Sequence, residues 1–114
     1  MGWNGGPLPV HGSKVLLDSD SDTYIISDTD DQIQLFAGGA EITEFDADGV
    51  NLTVAAYFAN GSESAPGISF VNDPNSGFWR GVADTINLSV GGSEIAEFDA
   101  TAVTIAAGTK LVIS

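Results

Sequence analysis

The sequence predicts an all-β protein: an intertwined homotrimeric β-prism built from two repeats of short antiparallel strands. Three observations carry this expectation. Apolar and polar residues alternate in short runs, as in Ile86-Asn-Leu88-Ser-Val90 and Val50-Asn-Leu52-Thr-Val54, which is the period of half-buried strands. The chain repeats itself, with Gly38-Gly39 returning 53 residues later as Gly91-Gly92. No amphipathic helical stretch is present to cover the apolar rows.

At the 53-residue offset, Ile33, Leu35, Glu41, Ile42, Glu44, Phe45, Asp46, Ala47 and Val50 fall on Ile86, Leu88, Glu94, Ile95, Glu97, Phe98, Asp99, Ala100 and Val103. The match continues upstream more loosely from Val15 onto Ile68. The chain divides into an extended Gly/Pro-rich head (1–14), a first β repeat (15–54), a connector (55–67), a second β repeat (68–107) and a C-terminal tail (108–114). Each glycine pair reads as a tight hairpin, because glycine accepts the positive φ of primed turns. Asp46-Ala-Asp-Gly49 is a second turn; its counterpart Asp99-Ala-Thr-Ala102 has no glycine, so either that turn needs no positive φ or the second copy is built differently. The run Ser93-Glu-Ile-Ala-Glu-Phe-Asp-Ala100 has some helical character, with Ile95 and Phe98 three apart. It is short and followed by β-branched residues, so it reads as a strand whose parity slips through a bulge between Ile95 and Phe98.

Of 114 residues, 3 are Lys or Arg and 16 are Asp or Glu, a formal charge of −13. Lys14, Arg80 and Lys110 cannot neutralise a run of phosphates, which excludes nucleic-acid binding, and the same imbalance opposes anionic membranes. No apolar run reaches the ~18 residues of a membrane span, and the first residues lack the pattern of a secretory signal. The chain has no cysteine, hence no thiolate nucleophile and no disulfide.

One thin sheet leaves its apolar rows wet. Three copies around an axis would bury Ile33, Leu35, Ile42, Val50 and Leu52 in a central prism, and Ile86, Leu88, Ile95, Val103 and Ile105 in a second stack. Each fully buried aliphatic side chain contributes roughly 1.5–3 kcal/mol.

The run Pro66-Gly-Ile-Ser-Phe-Val-Asn-Asp-Pro-Asn-Ser-Gly-Phe-Trp-Arg80, followed by Ala83-Asp-Thr-Ile86, Gly91-Gly92 and Phe98-Asp99, resembles the shaft repeat of bacteriophage tail fibres and related virion appendages. Asp18-Ser-Asp-Ser-Asp-Thr-Tyr-Ile25 with Asp30-Asp31-Gln-Ile33 resembles a sister repeat. The resemblance covers about residues 15–107 and implies a trimeric, non-enzymatic structural protein of the virion, bound to other tail or capsid proteins. It would serve as a short fibre, fibre base or adaptor. A capsid decoration protein and a module contacting host surface glycan are the alternatives. The chain departs from the pattern in its shortness, with no long receptor-binding head after residue 107.

Other residue groups bear on partners and ligands. Trp3, Pro7, Leu8, Pro9 and Val10 form an apolar, glycine-interrupted segment suited to lying along another protein's groove, the expected attachment. His11 has no catalytic neighbours in sequence. Tyr57, Phe58, Phe78, Trp79 and Arg80 are the candidate contacts for a partner or a glycan, although packing of Phe78 at the prism core competes with that role. Asp18, Asp20 and Asp22 have the spacing with which a calcium loop begins, but Thr23 stands where the loop needs glycine and no bidentate Glu follows. A solvated turn is the stronger reading, with calcium the weaker one. Glu41, Glu44, Glu94 and Glu97 recur in both repeats, which fits an exposed strand face better than a glycosidase pair. Three glycosylation-type triplets begin at Asn51, Asn60 and Asn87; the virion resemblance argues against their modification.

Overall fold

The structure is a computed structural model, which describes residues 12–114. The expected attachment residues Trp3, Pro7, Leu8, Pro9 and Val10, and His11, lie outside the described residues. All regular structure among the described residues is β, and the chain separates into two compact units between Ala56 and Tyr57.

The first unit holds one five-stranded meander: β1 (Val15–Leu16), β2 (Tyr24–Ile26), β3 (Ile33–Ala37), β4 (Ala40–Asp46) and β5 (Gly49–Leu52), each antiparallel to the next. In the second unit a small hairpin, β6 (Gly61–Ser62) and β7 (Ala65–Pro66), precedes a second five-stranded meander. Its strands are β8 (Ile68–Phe70), β9 (Asp73–Trp79), β10 (Ile86–Val90), β11 (Ser93–Phe98) and β12 (Val103–Ile105). The stretch expected to be a plain connector thus carries strands of its own.

The sequence repeat is a structural repeat down to single φ angles. Gly38 and Gly39 take φ of 59° and 78°, Gly91 and Gly92 63° and 83°, as two-residue primed hairpins require. Asp31 and Asp84, also 53 apart, sit at φ 61° and 63°. The turn after β4 is held by Asp46 Oδ1, which accepts the N–H groups of Asp48 and Gly49 at 2.8 and 3.0 Å. After β11, Asp99 Oδ1 accepts those of Thr101 and Ala102 at 2.7 and 2.8 Å. Ala102 is not among the positive-φ residues, so the aspartate and not the glycine defines this turn.

The run beginning at Ser93 is a strand, and its bulge falls one step earlier than the sequence suggests. Leu88 pairs with Ala96 and Ser89 with Glu94, leaving Ile95 itself as the extra residue. In the first sheet Leu35 pairs with Thr43 and Phe36 with Glu41, leaving Ile42. Alternation alone cannot separate these placements, because either restores the apolar parity of Phe98.

Candidate functional site

Directly opposed residues of an antiparallel pair share a face of the sheet, so the register defines the faces. One face of the second sheet carries a row that crosses all five strands: Ile68, Phe78, Leu88, Ala96 and Ile105. Beside it runs a shorter row of Ile86, Phe98 and Val103. The first sheet repeats both, as Val15, Ile25, Leu35, Thr43 and Leu52, and as Ile33, Phe45 and Val50. These faces are open: Ile33, Phe45 and Val50 are 53%, 39% and 59% exposed, and Ile86, Phe98 and Val103 are 56%, 38% and 60% exposed. Of the ten residues expected to form the core, eight lie on these two faces; Ile42 and Ile95 are the unpaired bulge residues. Phe45 and Phe98 complete the shorter rows, although the core residues expected from sequence leave them out.

What a single chain does bury is mainly polar. Ile26 and Ala96 are the buried hydrophobic residues, against Gln34, Thr43, Ser76, Asn87 and Ser89. On the opposite face of the second sheet, the Asn87 amide is a hub, 1% exposed. Its Oδ1 accepts the Gly81 N–H at 3.1 Å and the Thr85 hydroxyl at 3.2 Å. Its Nδ2 donates to Glu94 Oε2 at 2.7 Å and Glu97 Oε2 at 3.1 Å. The first sheet has a thinner version, in which Gln34 Oε1 accepts the Asp28 N–H at 3.4 Å and Nε2 donates to Glu41 Oε1 at 3.2 Å. The recurring glutamates are therefore not a solvated strand face. All four are half-buried, and Glu41, Glu94 and Glu97 bind a buried amide while Glu44 accepts from Asn51 Nδ2 at 3.1 Å. Among the described residues no buried side-chain nitrogen or oxygen lacks a partner. This face is chemically complete, whereas the apolar face is not.

The aromatic cluster is split by the strand. Phe78 shares the apolar face with Ile68 and Leu88, while its neighbour Trp79 opposes Asn87 on the polar face and donates its Nε1–H to Ser89 Oγ at 2.8 Å. The indole donor is thus engaged within the fold. Phe58, Phe78, Trp79 and Arg80 do line one groove of about 410 Å³, together with Ile68 and Ile86; Tyr57 is 94% exposed and outside it.

The Asp18, Asp20 and Asp22 carboxylates approach one another, with an oxygen of each within 4.8 Å of the others. Asp18 Oδ1 accepts the N–H groups of Ser21 and Thr23, at 3.1 and 3.3 Å, as in an Asp-stabilised turn. The Thr23 side chain, followed by its N–H, holds Asp18 below the ordinary carboxylate range against a smaller effect of desolvation. Desolvation, followed by the Asp20 charge, raises Asp22. The three groups make an acidic loop whose hydrogen bonds are local.

Comparison with protein-family models, with curated proteins and with solved structures finds no match to this chain.

Proposed function

We propose that the protein is a structural, non-enzymatic virion component: a homotrimeric β-prism that serves as a short tail fibre, fibre base or adaptor and is attached through residues 1–14. One observation carries the reading. In both sheets the polar face satisfies itself within the chain, while most of the apolar face, repeated at the same register with Thr43 and Ala96 buried at its middle, is left open to water. An isolated chain that exposes Val15, Ile33, Leu52, Ile68, Phe78 and Ile86 at about half their area gains on the order of 1 kcal/mol for each one covered. Copies of the same face are self-complementary in chemistry, and closed rotational symmetry covers every copy equally. Three sheets around one axis leave no apolar face outside. The likeness of residues 66–80 to phage shaft repeats supports the virion setting, and the net charge of −13 fits a partner surface that is neither nucleic acid nor anionic lipid.

Light scattering tests the assembly. The wild-type chain is expected at three times its monomer mass of 11.7 kDa, and Leu88→Asp at the monomer mass, because three carboxylates would converge in a dry layer. A folded wild-type monomer at all concentrations would overturn the reading. Quantitative mass spectrometry of purified virions tests the location: a few trimers per particle place the protein in the tail, and hundreds make it a capsid decoration protein.

A further inference from the structure

The β6–β7 hairpin begins beside an asparagine whose following residue the fold restricts to glycine. Gly61 sits at φ 68°, and a Cβ there would collide with the Gly67 nitrogen and the Ala65 carbonyl oxygen. Any other residue would force the hairpin apart. Asn60 therefore precedes a backbone nitrogen that no side chain shields, and Asn60 itself is exposed.

That nitrogen is also outside the hairpin's hydrogen bonding. Ser62 and Ala65 flank the two-residue turn as the hydrogen-bonded pair, so Gly61 opposite Pro66 occupies a non-hydrogen-bonded place, where N–H groups point away from the partner strand. The Asn60 carbonyl, the other half of the same peptide group, accepts the Arg80 N–H at 2.9 Å. A hydrogen bond at that oxygen stabilises the negative charge left when the Gly61 nitrogen loses its proton. The deprotonated nitrogen is the nucleophile that can close on an asparagine side chain.

We infer that Asn60 is a site of spontaneous modification through a cyclic imide, needing no enzyme and no reagent but water. The Gly61 nitrogen, its proton lost to solvent, attacks Asn60 Cγ; the new C–N bond forms, the bond from Cγ to the side-chain nitrogen breaks, and that nitrogen takes up a proton and leaves as ammonia. Water then opens the ring at either carbonyl and yields aspartate or isoaspartate at position 60. The other asparagines among the described residues are set differently. Asn51 and Asn87 are each followed by leucine and donate from Nδ2 to glutamate carboxylates, whereas Asn72 precedes Asp73 and Asn75 precedes Ser76.

Peptide mapping by mass spectrometry, on the folded chain held at mildly alkaline pH, tests this. Acid at position 60 is expected before acid at 51, 72, 75 or 87, as a chromatographically resolved pair of isomers, and faster at higher pH because the attacking nitrogen is the deprotonated one. Asn60→Gln is expected to remove the pair and keep the circular dichroism, since its longer side chain closes the ring far more slowly. A parallel sample in denaturant separates the contribution of the fold: the folded chain is expected to react at least as fast as the unfolded one. Slower conversion in the folded chain, or aspartate without isoaspartate, overturns the inference. The trimer reading stands or falls separately, because the reaction lies within one chain.

Discussion

The two sheets agree on one face and differ on the other. Their apolar rows match in register and, apart from Ile25 against Phe78 and Thr43 against Ala96, in aliphatic or aromatic type, whereas the polar faces are filled by different means. In the first sheet Tyr24 stacks on Phe36, ring centroids 4.7 Å apart at 12°, with Lys14 Nζ 4.0 Å from the tyrosine ring centroid. In the second sheet the same two positions are Gly77 and Ser89, and Trp79, at the place of Ile26, reaches diagonally to Ser89. A large pair with a medium neighbour has been exchanged for a small pair with a large neighbour. Each residue changes and the three together are smaller in the second sheet, yet buried side-chain polar atoms are satisfied among the described residues of both. The lesson is that the inner face must only be satisfied locally, whereas the outer face is held to one pattern. A surface facing copies of itself has that second constraint.

The largest expected difference between the repeats lies at Gly77 and Tyr24. A Cβ on Gly77, at φ 155°, would strike the Ile68 carbonyl oxygen, so Gly77→Ala should separate β8 from β9 and cost about 3 kcal/mol. Tyr24→Ala removes one ring stack and one exposed cation–π contact, together about 2 kcal/mol. Hydrogen exchange read separately over residues 15–54 and 68–107 distinguishes the two variants; equal protection loss would remove the packing argument.

A smaller contrast concerns the amide hubs. Asn87→Ala leaves two carboxylates, a hydroxyl and a backbone N–H without their common partner, and is expected to cost about 2–3 kcal/mol. Gln34→Ala breaks two longer hydrogen bonds and should cost about 1 kcal/mol. Chemical denaturation of each variant against the parent sharpens the comparison, and a larger loss at Gln34 would reverse it.

The smallest effect belongs to the turn aspartates. The Thr101 N–H, then its hydroxyl, and the Ala102 N–H hold the Asp99 carboxyl below the usual range. A lowered folded pKa means that the ionised group contributes stability above the ordinary carboxylate pKa, and that this contribution is lost as pH falls through the folded value. Asp99→Asn should therefore flatten the acid limb of a melting-temperature profile and lower the neutral-pH plateau slightly. An unchanged acid limb would show that Asp99 does not set it.

Much of the architecture was legible because it is local. Glycine pairs at positive φ, Asp-held turns and period-two alternation report on neighbours within a few residues, so the strands, the hairpins and the repeat could be read directly. The exact place of the bulge at Ile95 is not legible, because a parity slip shows in sequence only through its effect on Phe98. The split of Phe78 from Trp79 follows from adjacency in a strand, but the partner of the indole, Ser89, depends on the register between β9 and β10. The amide hubs left no sequence signal beyond a polar residue between two apolar ones, since the partners of each come from two separate segments.

Sequence alone determined that each strand has a greasy side and a polar side, because side-chain direction in a strand follows from backbone geometry. Tertiary structure alone decided which side a single chain can finish. Asn87, Gln34 and the glutamates close their hydrogen bonds within one meander, since such bonds need only a few well-placed atoms. Excluding water from Ile33, Leu88 and their neighbours needs a second layer of matter, which one thin sheet does not contain.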